Sequence, residues 1–172
     1  MALSKDGKTL YPFLEGPLVG DDPLVRHVYE LERLRAPHTG VGYPSKVGFS
    51  IDGTACTEDA GATTVGIDHT YVGDLTGTLT SPSNTTAVLF QRRGGTGENL
   101  CQVVFDDAAA NPFASVLAAD DPFTGTWRPQ DPLATLTGES ADGTWTFKVT
   151  DGAASDTGSV RAFTLSLTGF VQ

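Results

Sequence analysis

The sequence has 172 residues, a net charge of −10 at pH 7 and a pI near 4.5. This length suits one domain with its own hydrophobic core, and so acidic a surface repels phosphate backbones, which argues against nucleic-acid binding. No stretch approaches the ~20 apolar residues of a membrane-spanning helix, so membrane insertion is not expected. The 20 glycines and 10 prolines, with abundant threonine, favour short strands joined by turns over a helical bundle.

The first 44 residues differ in character from the rest, and they are predicted to form an N-terminal arm, 1–44, ahead of a β domain, 45–172. The segment YPFLEGPLVG is typical of extended chain because Pro and Gly interrupt its apolar residues. In DDPLVRHVYELERLRAP, an N-cap aspartate precedes Pro23, and Pro37 ends the run. This pattern predicts one short amphipathic helix, Pro23–Arg35.

A helix of about three turns is not stable by itself, so its apolar stripe must be buried against something. We therefore expect the arm to bind a protein partner, or other copies of the chain, in a larger assembly. The residues assigned to this contact are apolar or aromatic members of the arm and the helix, namely Tyr11, Phe13, Leu14, Leu24, Val28 and Leu31.

From Lys46 onward, the chain consists of short runs with period-two alternation, separated by turn signals. In TWTFKVTD, for example, Trp145, Phe147 and Val149 alternate with polar residues, which predicts one buried face and one wet face. Such spacing predicts an all-β fold, an antiparallel jelly roll or sandwich of about eight strands. The runs are KVGFSID, TTVGIDHTYV, LTGTLTSP, TAVLFQRR, LCQVVFDD, TWTFKVTD and SVRAFTLSLTGF.

No residue pattern points to catalysis, and the chain is predicted not to be an enzyme, with no catalytic residue assigned. The sequence has no G-x-S-x-G nucleophile elbow and no C-x-x-C metal motif. His69 fits a half-buried strand residue with one hydrogen-bonded nitrogen better than a catalytic base. The two cysteines, Cys56 and Cys101, can pair if the fold brings them together, a question that the sequence leaves open.

Several motifs occur in a fixed order from Lys46 to Phe170. They are HTYVGDLTGTLTSPSNTTAVLF, VVFDD, GTWRP and GTWTFKVTD followed by a closing strand. This order resembles the P domain (P/Homo B domain), the β jelly roll that follows the catalytic domain in kexin- and furin-like proteases and in many bacterial secreted proteases. Asn84 stands where the family usually has Gly in a turn, and we expect the turn to persist because Asn tolerates positive φ. Residues 1–44 have no counterpart.

The resemblance implies structural calcium, because loop carboxylates of P-domain-like proteins can hold Ca²⁺, which takes about six to eight oxygen ligands. The aspartates carried over to this role are Asp74, Asp106, Asp107 and Asp151. The alternative is that these aspartates cap turns through nearby backbone amides. Both interpretations stay open at this point.

The main functional prediction is a non-catalytic structural protein, a jelly-roll module docked through its arm on a larger particle, as a decoration or cement protein is on a virion capsid or tail. The alternative is an accessory P domain of a secreted subtilisin- or kexin-like serine protease that stabilises the catalytic domain. A carbohydrate-binding module would need a cluster of exposed aromatic residues, but most aromatics stand at alternating strand positions. The first residues do not resemble a secretory signal, so we expect synthesis in the cytoplasm and a place in a virion or other extracellular particle, or secretion in the alternative.

Overall fold

The computed structural model describes residues 2–3, 9–11, 28–36 and 42–170, with side chains from 42 to 169. Pairing is antiparallel throughout the described strands except between β8 and β9, which run parallel. The predicted all-β sandwich is therefore confirmed. The described strands are β1 Ala2–Leu3, β2 Thr9–Tyr11, β3 Val28–Ala36, β4 Tyr43–Ile51, β5 Ile67–His69, β6 Leu75–Thr80, β7 Thr86–Gln91, β8 Leu100–Phe105, β9 Phe123–Trp127, β10 Gly143–Asp151, β11 Gly158–Val160 and β12 Phe163–Phe170.

Two sheets make up the sandwich. The larger has eight strands in the order β1-β2-β12-β4-β8-β5-β11, with β9 beside β8, and the smaller has four in the order β3-β10-β6-β7. The described helices are short 3-10 turns, at Val72–Asp74, Phe113–Ser115, Ala118–Asp120 and Leu133–Leu136. In this part of the chain, no helix has the length and apolar character needed to cross a membrane.

The core lies between the two sheets, as in other sandwiches, where alternate residues of each strand face inward. In β10, Trp145, Phe147 and Val149 are buried, as the period-two pattern predicts. The Phe147 ring centroid lies 4.6 Å from that of Phe49 in the other sheet. Trp145 is 0% exposed, and its indole Nε1 donates a hydrogen bond to the Ala141 carbonyl at 3.1 Å. Strand β10 therefore supplies large side chains to the packing between the sheets.

The turn between β6 and β7 has the geometry that the sequence predicts. Asn84 has φ +66°, in the left-handed region that asparagine tolerates. Two hydroxyl groups of the same turn donate to the Glu139 carboxylate, that of Ser81 at 2.6 Å and that of Thr85. These two hydrogen bonds lower the pKa of Glu139. The turn is thereby joined to the loop that precedes β10.

The predicted helix Pro23–Arg35 is wrong in the part that the structure describes, because Val28–Ala36 forms a strand, β3, beside β10. Residues 23–27 lie outside the described residues. The register places Leu34 opposite Trp145 and Leu31 opposite Phe147. Leu31 and Leu34 are three residues apart, a spacing typical of a helix, whereas their partners Phe147 and Trp145 are two residues apart. A bulge in β3 accommodates the extra residue. Pairing along the edge of β10 outweighs the local helical pattern.

The residues predicted to bind a partner fall in three places. Tyr11 lies in β2, whereas Val28 and Leu31 lie in β3. Phe13, Leu14 and Leu24 lie outside the described residues. Since β2 pairs with β12 and β3 with β10, both strands belong to the same sheets as the strands of 45–172. The partner contact and the division into 1–44 and 45–172 stay predictions.

Candidate functional site

A buried histidine and a buried aspartate join the two sheets at one end of the sandwich. His69 ends β5 in the larger sheet and Asp151 ends β10 in the smaller one, with side chains 1% and 0% exposed. His69 Nε2 lies 3.3 Å from Asp151 Oδ2. His69 Nδ1 lies 3.1 Å from the backbone nitrogen and 3.0 Å from the carbonyl oxygen of Tyr71. Because a carboxylate only accepts hydrogen bonds, we assign a ring proton to Nε2, which donates to Asp151. This pair clamps the sheets together and is too deeply buried to reach a substrate.

The loop between β10 and β11 is fastened to the same end of the sandwich. Asp151 Oδ1 accepts the backbone N–H of Ala153 at 3.0 Å, and Asp156 Oδ1 accepts the hydroxyl of Thr70 at 2.8 Å. Gly158, where β11 begins, passes so close to β5 that a Cβ there would lie 2.0 Å from the Asp68 carbonyl oxygen. The loop therefore requires glycine at this position.

Asp74 brings a further carboxylate beside the clamp. It ends the 3-10 turn Val72–Asp74, and its carbonyl accepts the N–H of Gly152 at 2.9 Å. Burial raises the pKa of Asp74, and the negative charges of Asp151 and Asp156 raise it further. Arg92, with Nη2 3.8 Å from Asp74 Oδ1, opposes this shift in pKa. The fold therefore disfavours the ionised form of Asp74.

Replacing Asp74 by asparagine is expected to raise the free energy of unfolding at neutral pH when no cation is bound. With a raised pKa, the folded state binds the proton more tightly than the unfolded chain does. The wild-type protein therefore loses stability as the pH rises from the ordinary value of 3.8 through the folded pKa, and keeps that loss above it. Urea unfolding of both proteins from acid to neutral pH measures the difference. An Asp74→Asn variant that is less stable than wild type at neutral pH would contradict this prediction.

Asn99 connects the clamp to the preceding loop, and the sequence analysis did not identify it. Its Oδ1 accepts the backbone N–H of His69 at 3.0 Å, and its Nδ2 donates to the carbonyls of Thr57 at 2.8 Å and Asp59 at 3.1 Å. The residue is 1% exposed and has φ +59°. The sequence signal for this residue is an asparagine directly before a strand, because asparagine is enriched at the positive φ values found in turns.

The two cysteines pair, which settles the question that the sequence leaves open. The Cys56–Cys101 disulfide has an S–S distance of 2.09 Å and joins residues 45 apart in sequence. Cys101 lies in β8 and is 1% exposed, whereas Cys56 lies in the loop between β4 and β5. The disulfide therefore fixes this loop to a strand of the larger sheet.

Asp106 acts as a turn cap and an ion-pair partner. Its Oδ1 accepts the backbone N–H of Ala108 at 2.9 Å, and its Oδ2 lies 2.9 Å from Nζ of Lys46. The Ala108 N–H and then the Lys46 ammonium group lower the pKa of Asp106. The turn-capping alternative is thus observed for this residue.

Asp107 caps the 3-10 turn Leu133–Leu136, since its two carboxylate oxygens accept the N–H groups of Leu133 and Ala134, each at 2.8 Å. Asp106 and Asp107 directly follow β8, whereas Asn99, which binds His69, directly precedes it. Two of the four predicted calcium ligands therefore lie at the opposite end of β8 from the clamp.

The structure thus brings Asp74 and Asp151 together, with Asp156 beside them, and separates them from Asp106 and Asp107. Within the described residues, no group of three or more His, Cys, Asp or Glu side chains is arranged to hold a metal ion. Calcium binding stays a prediction.

The sequence pattern of the proprotein convertase P-domain family matches residues 60–167. The chain belongs to this family. The suspected resemblance is therefore confirmed over most of the predicted β domain.

Relatives of this P domain are parts of larger proteins. The calcium-dependent proteases of Trichormus variabilis (strain ATCC 29413 / PCC 7937) and of Nostoc sp. (strain PCC 7120 / SAG 25.82 / UTEX 2576) are each 32% identical to it over 107 residues. The match covers 60% of this chain and 13% of each protease, so the chain spans only a small part of their length.

Solved structures with a similar chain include a serine protease of Aeromonas sobria, with a TM-score of 0.49 and 18% identity over 92% of this chain and 26% of that one. The same protease in complex with its chaperone (ORF2) gives a TM-score of 0.47 and 18% identity, over 94% and 26%.

These findings correct the main functional prediction. The prediction of a virion decoration or cement protein is wrong, because the chain belongs to the P-domain family and its relatives are proteases. The P domain is an accessory domain and is not itself catalytic. The alternative prediction, an accessory domain of a protease, agrees better with the comparisons.

Proposed function

We propose that this P domain is an accessory domain of a secreted subtilisin- or kexin-like serine protease and that it stabilises the catalytic domain. The observation that carries the proposal is the 32% identity over 107 residues to a segment of calcium-dependent proteases, within a family of accessory domains. The Cys56–Cys101 disulfide supports secretion, since disulfides persist in oxidising compartments. The buried clamp of His69 and Asp151 supports a structural role, because neither side chain reaches the surface.

A domain exchange tests this function. In the Trichormus variabilis protease, the segment of 107 matched residues is either deleted or replaced by the matching segment of this chain with its flanking strands. We expect deletion to shorten the thermal half-life of protease activity and replacement to restore much of it, because a folded neighbour stabilises the domain against which it packs. A replacement protein as labile as the deletion would refute the proposal.

A matched control is the replacement that also carries Gly158→Val. A side chain there collides with the Asp68 carbonyl, so this domain should misfold and fail to restore the half-life. If the control restores the half-life as well as the intact domain does, the effect comes from chain length and not from the folded domain.

The proposal includes structural calcium beside the clamp, bound by Asp74, with the buried carboxylate of Asp151 adding negative charge next to it. Two observations support it: the relatives are named calcium-dependent proteases, and the negative charge of Asp151 disfavours the ionised form of Asp74. A divalent cation would offset that repulsion. Asp106 and Asp107 are less suited, because they lie at the opposite end of β8 from Asp74, and the Lys46 ammonium group already pairs with Asp106.

Removing calcium with a chelator is expected to lower the melting temperature of the wild-type chain, because a ligand that binds the folded state stabilises it. The Asp74→Asn variant should respond much less, whereas the Asp107→Asn variant should respond as wild type does. Differential scanning calorimetry with and without chelator makes the comparison. An unchanged wild-type melting curve would contradict calcium binding, and equal responses of all three proteins would place the ion elsewhere.

A further inference from the structure

The loop between β4 and β5 closes on itself at the surface. Gly53 and Val65 form a β-bridge at its neck, and the N–H of Thr54 donates to the carbonyl of Thr64 at 2.8 Å. In the described structure, residues 54–64 contribute no side chain to the buried hydrophobic core. A segment that buries so little apolar surface has little intrinsic stability, and it opens locally unless other bonds hold it.

Few bonds attach the tip of this loop to the sheets. One is covalent, the disulfide from Cys56 to the buried Cys101. The others are hydrogen bonds, from Asn99 Nδ2 to the carbonyls of Thr57 and Asp59, and from the Gly61 N–H to Asp68 Oδ1 at 2.8 Å. Water competes for each hydrogen bond when the loop opens, so each contributes little net free energy. The disulfide is the one bond among these that opening cannot break.

The tip is otherwise accessible. Glu58, Asp59, Ala60 and Gly61 are all exposed. Exposed loop tips of small and polar residues are the preferred sites of proteolytic nicking, provided that the backbone can leave its folded conformation to enter a protease. The loop thus has the composition of a cleavage site and a covalent bond that keeps it closed.

We propose that the loop Gly53–Val65 is a proteolytic cleavage site latched by the Cys56–Cys101 disulfide. While the disulfide is intact, the tip cannot separate from β8 and resists cleavage. When a dithiol reduces it, the loop opens and is cut between residues 57 and 62, while the two sheets stay folded. The latch makes the lifetime of the domain depend on the redox state of its compartment. This proposal is independent of the proposed accessory function, because any endoprotease that accepts small and acidic residues can cut the tip.

The chemistry balances with two reactants that come from outside the chain. A dithiol reductant is oxidised to its disulfide, while Cys56 and Cys101 each gain one electron and one proton and become thiols. The protease then adds water across one amide bond of the tip, which leaves a new carboxylate and a new amine. Both fragments stay associated through the strands that flank the loop.

Limited proteolysis of the full chain tests the latch. Oxidised protein and protein held in excess dithiothreitol are treated with subtilisin at neutral pH, and mass spectrometry locates the new N-termini. We expect cleavage between residues 57 and 62 to become about tenfold faster or more after reduction, because cleavage follows the population of the open loop. Cleavage in the β6–β7 turn and in the loop after Asp151 should keep its rate, and far-UV circular dichroism should not change.

Three results would overturn the proposal: equal cleavage of the tip in oxidised and reduced protein, a reduced folded protein that still resists cleavage there, or reduction that unfolds the sheets and accelerates cleavage everywhere.

A variant of Asn99 adds an independent test. In oxidised Asn99→Ser protein, the tip loses its two side-chain hydrogen bonds but keeps the disulfide. Its tip should be cut far more slowly than that of reduced wild type, and equally fast cutting would show that Asn99, not the disulfide, is the latch.

Discussion

Replacing Trp145 by alanine is expected to lower the free energy of unfolding by about 3–5 kcal/mol. The indole is 0% exposed and lies between the sheets, so its loss leaves a cavity that the strands of a sandwich cannot readily fill. The Ala141 carbonyl, which accepts the indole N–H, also loses its partner. Urea denaturation followed by circular dichroism measures the change.

Two variants serve as controls for this prediction. Trp145→Phe keeps an aromatic ring at the site and should cost clearly less than the alanine variant. Trp127→Ala removes the other tryptophan, which is only half-buried, packs edge-on against Phe113 and donates to the Thr124 carbonyl. It should also cost less than Trp145→Ala. If the order of Trp145→Ala and Trp127→Ala is reversed, the sandwich interior is not centred where the structure places it.

The second large effect is expected for Asp151→Ala, about 3–5 kcal/mol of destabilisation. The change leaves the Nε2–H of His69 and the N–H of Ala153 without their acceptor at a site that water does not reach. Because His69 and Asp151 belong to different sheets, the loss also loosens the contact between the sheets. Thermal and urea unfolding of the variant provide the measurement.

Asp107→Ala is the matched control, because Asp107 also accepts backbone N–H groups but is only half-buried and caps a 3-10 turn. The expected loss of stability is about 1 kcal/mol, which is typical of a lost cap.

A double-mutant cycle that combines Asp151→Ala with His69→Ala should show that the effects of the two substitutions are not additive. Additive effects would mean that the two side chains do not act as a pair.

The sequence predicts the β sandwich well because its signal is local. Alternation of buried and wet residues predicts β6, β7, β8 and β10 with bounds close to those observed, since each residue faces one side of its own strand. The turn at Asn84 follows in the same way from one residue and its tolerance of positive φ. The resemblance to the P domain also depends on local motifs in order, and the family match confirms it.

The features that the sequence did not predict depend on contacts between distant residues. β3 has a helix-like spacing, and only the register with β10 shows how a bulge accommodates it. The His69–Asp151 clamp joins residues 82 apart, and Asn99 makes its contacts across 30 residues or more. For the same reason, the four predicted calcium ligands could not be sorted into two separate places before the topology was known.

The pairing of β3 with β10 has a practical consequence for anyone who wishes to excise this domain. The family match begins at residue 60, whereas β3 and β4 lie before it and pair with β10, β8 and β12 inside it. A fragment that begins at residue 60 would leave the backbone N–H and C=O groups along those strand edges unpaired. Such edges form hydrogen bonds with strands of other molecules, which leads to aggregation. The segment that the family match covers is therefore smaller than the set of strands that pair in the two sheets.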